Sequence, residues 1–544
     1  MSNRNLLSRL NLAIAEKQGH RRLFQATRQI AGKARPKPGQ PTVAFFVAST
    51  RIGHMSLNAA FAYLSACGLQ VAGLPVVYFG CKSGMSRCVL GTDPDQPQKP
   101  PPCQSCIAES QRLFLNAPTI WFTYKEDDRL SRLINNLSVQ ELSQLTYRLP
   151  GSSGGNSQIP LGKLVLPSLR WALRRHHLQD DEPTRFLFRH YILSAWLIAN
   201  EFRTFLDQAE PDVLVVFNGI LFPEATARWV AQQKGLRVIT HEVGFQPFSA
   251  FFTEGEATAY PIEIPADFEL TGDQNTRLDA YLEKRFQGQF TMAGIRFWPE
   301  MRGLDDAFNQ RAIQFKKIVP VFSNVIYDTS QVHANSVFPH MFAWLDLVKE
   351  IIQAHPETLF VIRAHPDELR PGKVSRESVP EWVARNGLAA CQNVLFVNAT
   401  EYLSSYELIQ RSQFVMVYNS SIGLEASLMG KAVICGGNAR YTVYPTVYFP
   451  ESPEAYRKLA EQFLDAAQPV EAPNEYIRHA RRFMYYQLYR ASLPFGEFIE
   501  QDILPGYVRL KRFRWDNLAP DRCQTVKVLL NGVAHGEPFL LHED

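Results

Sequence analysis

Residues 415–437 read VMVYNSSIGLEASLMGKAVICGG, a strand, a polar turn, a helix and a second strand in succession. Val415, Met416, Val417 and Tyr418 form a short apolar run suited to a buried parallel strand. Asn419, Ser420 and Ser421 follow as a cluster of helix-capping residues. Gly423 allows close approach to the backbone. Leu424, Leu428 and Met429 fall on one face of a helix that Gly430 ends, and residues 432–435 supply the next strand. Hydroxyls and free N–H groups at a helix start attract phosphate, because the orphan donors and the helix dipole both favour an anion. Ordinary caps at Ser420 and Ser421, with a solvated Glu425, are the plainer reading of the same residues.

The flanking sequence adds to this unit. Residues 358–365, TLFVIRAH, form an apolar strand ending in Arg363 and His365. Ligands of open α/β sheets sit beyond the carboxyl ends of the strands. Arg363, His365 and the Ser420–Ser421 turn are therefore expected at one edge, as a cradle for a diphosphate or phosphodiester. Residues 317–323 open the same sheet and leave Asn324 at its exit. Glu425 is placed to hold a ribose hydroxyl.

The first half repeats the plan. Residues 42–48, TVAFFVA, form a strand whose exit loop carries Arg51, Gly53 and His54, facing the other half across a cleft. A helix over 58–66 and a strand over 69–77 follow. Residues 212–217 and 236–240 resume the sheet, with Asn218-Gly219 and His241-Glu242 at their exits. Glu242 or His241 is the candidate general base or acceptor-binding group; a hydrogen-bonded loop pair accounts for them equally well.

At 544 residues the chain is long enough for two or more domains. Its 46% hydrophobic and 20% charged content is that of a globular protein, and a formal charge of +4 is too weak to argue for nucleic acid. No run approaches the ~20 apolar residues of a membrane-spanning helix, and no signal peptide opens the chain, so a cytoplasmic location is expected. Residues 1–38 are strongly basic. They read as an interfacial helix on anionic lipid at the inner membrane face, or as a solvated or docked arm. Cys81, Cys88, Cys103 and Cys106 fall in a Pro- and Gly-rich insertion over 79–111. Four close thiols suggest a structural zinc or an iron–sulfur cluster.

The expected architecture is α/β: two Rossmann-type αβα domains facing a cleft, with helical insertions. An arm over 1–40 precedes an acceptor domain over 41–290. A passage over 291–317 leads to a nucleotide-sugar domain over 318–500, and 501–544 form an extension with a hairpin near Asn531-Gly532.

Arg363-Ala364-His365-Pro366, Ser404-Ser405-Tyr406, and Tyr418 through Glu425 with Gly430-Lys431 together resemble the bacterial capsule polysaccharide biosynthesis proteins. That group includes Kdo transferases of the GT-B type, and the resemblance covers roughly residues 318–440. It implies transfer of a sugar from a nucleotide-sugar donor to a glycan or lipid-linked acceptor. Arg363 and His365 would then neutralise the departing phosphate. Asn419, Ser420, Ser421, Gly423, Glu425 and Asn324 would bind the donor. No metal-binding D-x-D tripeptide is evident, so transfer without a catalytic metal is expected. A glycerophosphotransferase, a sugar-nucleotide epimerase and a non-catalytic scaffold with a cysteine-bound metal are the alternatives.

Overall fold

The computed structural model describes residues 3–48, 54–149, 158–288, 303–370, 372–401, 403–504 and 506–543, the side chains of 3–15 excepted. Two sheets organise the chain. The first contains β1 (Val43–Phe46), β2 (Val76–Cys81), β3 (Thr119–Phe122), β4 (Val213–Phe217), β5 (Arg237–Val243) and β6 (Ser249–Thr253). The second contains β7 (Lys317–Phe322), β8 (Thr358–Arg363), β9 (Val394–Val397), β10 (Val415–Val417) and β11 (Val433–Cys435). The first sheet gains one more strand, β12 (Leu493–Pro494), from far along the chain.

The strand orders are β12-β6-β5-β4-β1-β2-β3 and β9-β8-β7-β10-β11. All pairings in the second sheet are parallel, as are those from β5 to β3 in the first. Each domain thus carries the doubly wound order third–second–first–fourth–fifth, and the order of connection reverses between its first and fourth strands. Such a reversal leaves a crevice beyond the carboxyl ends of those strands, where ligands bind. In this chain the crevices open after β1 and β4 and after β7 and β10.

Apolar burial explains why these runs became strands. Every residue of β1, β8, β10 and β11 is buried, as parallel strands covered on both faces require. The covering helices include α1 (Asn3–Lys33), α2 (Leu57–Ala72), α3 (Cys103–Leu113), α4 (Leu161–Leu173), α5 (Glu182–Ala209) and α6 (Glu224–Gln233) in the first half. In the second half they include α7 (Gly272–Phe286), α8 (Met341–Ala354), α9 (Ile422–Leu428), α10 (Pro453–Asp465) and α11 (Asn474–Tyr485). Helix α12 (Gln524–His535) closes the chain.

Several boundaries differ from the sequence reading. Helix α2 runs on to Ala72 and stops at Gly73, whose φ of 102° suits glycine, so the second strand begins only at Val76. Residues 525–532 form a helix, not a hairpin. Thr525, Val526, Leu529, Gly532 and Val533 are buried at helical spacing, and Val526 packs against Gly68 of α2. The segment 501–544 therefore belongs to the first domain, to which the chain returns through β12. Helix α7 packs its Leu278 and Leu282 with Val415, Val417 and Leu424, so it belongs to the second domain rather than to 41–290. Most of the 291–317 passage lies outside the described residues.

The basic arm is docked where it is described. Leu23, Ala26 and Ile30 of α1 are buried in the first core, and the Thr27 hydroxyl meets that of Tyr63 at 2.8 Å. Arg22 donates to Glu500 at 2.7 Å. That apolar stripe packs into the protein's own core, while Phe24 on the same helix stays 55% exposed. Among the described residues no helix is long and apolar enough to cross a membrane.

Candidate functional site

The two crevices meet in one cleft of about 1130 Å³. Phe46, Val47, Asn58, Asn218, Glu224, Glu242, Phe245 and Tyr260 line it from the first domain. Asn324, Asp328, His365, Asn419, Ser420, Ser421 and Arg440 line it from the second. The topology dictates this meeting, because each of these loops follows the carboxyl end of a strand or the helix after it.

Glu242 is the first-domain residue with the most developed surroundings. Asn218, at the exit of β4 with φ of 62°, donates through Nδ2 to Glu242 Oε2 at 2.9 Å. Asn218 Oδ1 accepts the Ile220 and Leu221 N–H groups at 3.0 and 3.1 Å, which fixes the amide. The Val243 N–H donates to Glu242 Oε1 at 2.9 Å. Burial nonetheless pushes the Glu242 carboxyl above its ordinary range, and Asp328 across the cleft adds to the rise. A carboxyl tuned upward and held in one orientation is fitted to take a proton near neutral pH.

His241 has a different fate. Its neighbour's side chain faces the cleft, and alternation along β5 turns its own ring inward. It is 1% exposed and sits between Phe217 and Phe252, with ring centres 5.7 and 5.3 Å away. Burial lowers its pKa to about 3, so it is a neutral core residue and not the base.

Across the cleft, β10 delivers Asn419, Ser420 and Ser421. Asn324 Nδ2 donates to Asn419 Oδ1, which also accepts from Gln331 Nε2 at 3.1 Å. Ser421 has helical backbone angles and makes no capping bond. Ser421 is therefore not a cap, and α9, which Ser420 and Ser421 precede, is only seven residues long. Their hydroxyls border the cleft instead. His365 Nδ1 accepts the Asp367 N–H at 3.2 Å, which leaves Nε2 as the protonated nitrogen of the neutral ring. Burial holds that ring below the ordinary histidine pKa, against the pull of Asp367 and Asp328.

Arg440 completes this side, and sequence reading had not singled it out. Its guanidinium lies 4.4 Å from the Phe245 ring centre and 5.6 Å from that of Tyr260, so it bridges the domains through cation–π contacts. Its Nε is buried without a hydrogen-bond partner, and no carboxylate pairs with it among the described residues. A buried guanidinium left without an acceptor is an anion site waiting for its charge.

Three other expected donor residues lie elsewhere. Arg363 is buried against the Leu403 carbonyl, because the period of β8 sends its side chain to the face shared by Leu359 and Val361. Glu425 is 2% exposed, takes Arg285 at 2.7 Å and accepts the Tyr406 hydroxyl at 2.5 Å. It is a structural ion-pair partner, not a ribose ligand. Gly423 admits the Tyr441 hydroxyl, which would lie 2.5 Å from a Cβ there. Of the acceptor-side loop, Arg51 and Gly53 lie outside the described residues, and His54 stacks edge-on to Tyr507 at 5.2 Å.

Cys81, Cys88, Cys103 and Cys106 are part-buried thiols outside any disulfide, and Cys81 and Cys88 each sense the charge of the other pair. Burial pushes both Cys81 and Cys88 up to about 12. Among the described residues no three His, Cys, Asp or Glu side chains converge to hold a metal ion. The 81/88/103/106 set is nonetheless close together, with Cys103 and Cys106 one turn apart at the start of α3.

The domains are also clasped beside the cleft. Glu377 accepts the His176 and His177 N–H groups at 2.9 and 3.1 Å and pairs with His177 Nδ1 at 2.5 Å. His177 Nε2 meets His340 Nε2 at 3.2 Å, and His340 Nδ1 accepts the Ala343 N–H. The Arg376 N–H donates to the Arg174 carbonyl at 3.0 Å.

The second domain's cleft loops fall in a segment with known relatives. Residues 276–445 match the family described as capsule polysaccharide biosynthesis protein. The matched segment contains Asn324, His365, Asn419, Ser420, Ser421 and Arg440, whereas Asn218 and Glu242 lie outside it. The chain is 27% identical over 265 residues to Protein FixF of Sinorhizobium fredii, which covers 47% of this chain and 56% of FixF. It thus spans little more than half the length of that curated relative. Among solved structures, a Thermosulfurimonas dismutans KpsC β-Kdo 2,7 transferase matches at 16% identity and a TM-score of 0.32, over 57% of this chain and 85% of that one. A UDP-GlcNAc 2-epimerase from Neisseria meningitidis bound to UDP-GlcNAc matches at 13% identity and 0.23, over 82% and 98%. Neither score is high enough to carry an inference about this chain's chemistry.

Proposed function

We propose that the protein transfers a sugar from a nucleotide-activated donor to a surface-polysaccharide acceptor. The observation that carries this reading is the pairing of an acceptor-less guanidinium with a proton acceptor across one cleft: Arg440 beside Ser420 and Ser421 on one wall, Glu242 on the other. The match of the second domain's loops to the capsule-synthesis family supports it.

In this reading the donor diphosphate lies against Arg440, with the Ser420 and Ser421 hydroxyls and His365 Nε2–H donating to its oxygens. Glu242 takes the proton of the acceptor hydroxyl as that oxygen bonds to the anomeric carbon. The bond from that carbon to the phosphate oxygen breaks, and the negative charge leaving with the nucleotide falls on these fixed donors. A guanidinium and three neutral donors at the departing phosphate supply the charge stabilisation that a metal supplies elsewhere, so transfer is read as metal-independent.

The test is nucleotide release from a donor panel with and without a polysaccharide acceptor, in EDTA. Acceptor-dependent release is expected, with a loss of at least about a hundredfold in Glu242→Gln and little change in donor affinity. Epimerised donor formed without acceptor, or full activity in the Gln variant, refutes the reading.

A further inference from the structure

Helix α1 has a second face, which the fold leaves uncovered. Leu23, Ala26 and Ile30 are buried in the first core, whereas Lys17, Arg21, Phe24 and Arg28 are all exposed. Their spacing of four, three and four residues places them in one stripe along the helix. Arg35, two residues past the helix end, is exposed as well. A large apolar ring in water, flanked by cations on both sides along three helical turns, serves no purpose in the packing of this domain.

The protein does not neutralise these cations. Lys17, Arg21 and Arg28 have no ion pair or side-chain hydrogen bond among the described residues, and Arg35 donates only to the Ala31 and Ala34 carbonyls, at 3.3 and 2.8 Å. The acids packed against α1 are already met by two basic side chains each. Glu109 lies 3.4 Å from His20 and 3.3 Å from Arg112, and Glu500 lies 2.7 Å from Arg22 and 2.8 Å from Arg509. Glu16 is the one acid of α1 itself, and residues one apart, such as Glu16 and Lys17, do not face each other on a helix.

Two neighbouring features extend the surface. Arg112 meets His20 at 3.4 Å, which sets the end of α3 beside α1, and Leu115, three residues on from Arg112, is 57% exposed. On the other flank Arg22 donates to the Leu510 carbonyl at 3.1 Å. Leu510 ends the strand Val508–Leu510, and Tyr507 just before that strand borders the cleft. Three residues of extended chain span about 10 Å, so α1 runs beside the first-domain rim of the cleft.

We propose that this face of α1 docks on the surface of an anionic lipid bilayer, with Lys17, Arg21, Arg28 and Arg35 against lipid phosphates and Phe24 in the headgroup boundary. Each cation is drawn to the negative potential of such a surface, and an aromatic ring is accommodated at its boundary with the acyl chains. The exposed Phe24 and Leu115 favour a bilayer over other polyanions, which offer charge without hydrocarbon. The contact itself needs neither donor nor acceptor. It rests on the transferase reading only for its consequence, that a lipid-linked acceptor in the same bilayer meets the cleft at the rim beside α1.

Flotation of the full chain with vesicles tests this, with phosphatidylglycerol and phosphatidylethanolamine in equal parts set against pure phosphatidylcholine. Binding to the anionic vesicles alone is expected. It should fall as salt rises from about 0.1 to about 1 M, where the screening length drops from about 10 to about 3 Å. Arg21→Glu combined with Arg28→Glu should weaken binding at least tenfold, and Phe24→Ser severalfold. Lys163→Glu combined with Lys458→Glu changes the net charge equally at exposed positions elsewhere and should leave binding unchanged. All of these side chains are exposed, so the variants keep the fold, as unchanged urea midpoints would verify. No binding to the anionic vesicles, or equal weakening by the two double reversals, overturns the docking face. Binding to a DNA duplex as tight as to the vesicles, with Phe24→Ser affecting neither, assigns the stripe to a polyanion and overturns the lipid. Flotation contains no donor or acceptor, so a protein that binds vesicles through Arg21 and Arg28 yet transfers no sugar upholds the docking face while the transferase reading falls.

Discussion

Glu425→Ala separates a structural role from a ligand-binding one. Both carboxylate oxygens of Glu425 are occupied, by Arg285 at 2.7 Å and by the Tyr406 hydroxyl at 2.5 Å, and the paired side chains are 3% and 10% exposed. Truncation takes the Glu425 carboxylate away from the buried Arg285 guanidinium, and breaking such a pair costs about 3–5 kcal/mol. With a urea dependence of about 2–3 kcal/mol per molar, the unfolding midpoint of the second domain falls by roughly 1–2 M. The assay is urea unfolding followed by tryptophan fluorescence, since Trp344 and Trp382 are buried in that domain. Replacing both partners by apolar residues, Arg285→Met with Glu425→Leu, recovers most of the loss, because no charge is then stranded. A Glu425→Ala protein within about 1 kcal/mol of wild type that binds nucleotide tenfold more weakly would refute the reasoning, and would return Glu425 to the donor.

Other outcomes follow from the same geometry. The rate of transfer rises with pH through the Glu242 pKa, which burial places above the ordinary carboxylate range, and a pH–rate profile flat down to about 4.5 contradicts its role as base. Glu368, buried with its pKa raised from 4.5 to about 8, binds its proton more tightly folded than unfolded. Stability from this group is complete below about 4.5 and lost as pH rises toward 8. Glu368→Gln flattens that part of the stability–pH curve, measured by urea midpoints across the range; an unchanged slope refutes the assignment. Glu377→Ala removes the acceptor of the His176 and His177 N–H groups and the His177 ring. It should widen the cleft in small-angle scattering and raise KM more than it lowers kcat, whereas an unaltered scattering profile contradicts the clasp.

Much of the fold was legible because parallel strands are runs of β-branched and aromatic residues with polar exits. Residues 42–48, 212–217, 317–323, 358–365 and 415–418 announce themselves that way, and the exits of the last three carry Asn324, His365 and Ser420. Their order in the sheet was not legible, since pairing β1 with β4 joins residues some 170 positions apart. The misplacements share one cause. Arg363 and His241 sit within or at the end of strands, and period two decides which face they take, so lying near a strand exit did not bring them to the cleft. Glu425 looked solvated because its partner Arg285 is 140 residues away. Arg440 left no local signal at all: its significance is the absence of a carboxylate, which only the packed structure reveals. Residues 525–532 misled through the alternation of Val526 and Val528, and tertiary packing on α2 decided for helix.

The central claim is that Arg440, and not Arg363, receives the donor phosphate. The most direct measurement is the thermal stability of wild type, Arg440→Ala and Arg363→Ala proteins with CMP, CDP, UDP, GDP and ADP. At a hundredfold excess over Kd, a nucleotide that binds only the folded protein adds about 2.7 kcal/mol. One nucleotide should stabilise wild type and Arg363→Ala and fail to stabilise Arg440→Ala. Equal stabilisation of wild type and Arg440→Ala, or no stabilisation by any nucleotide, would contradict the claim.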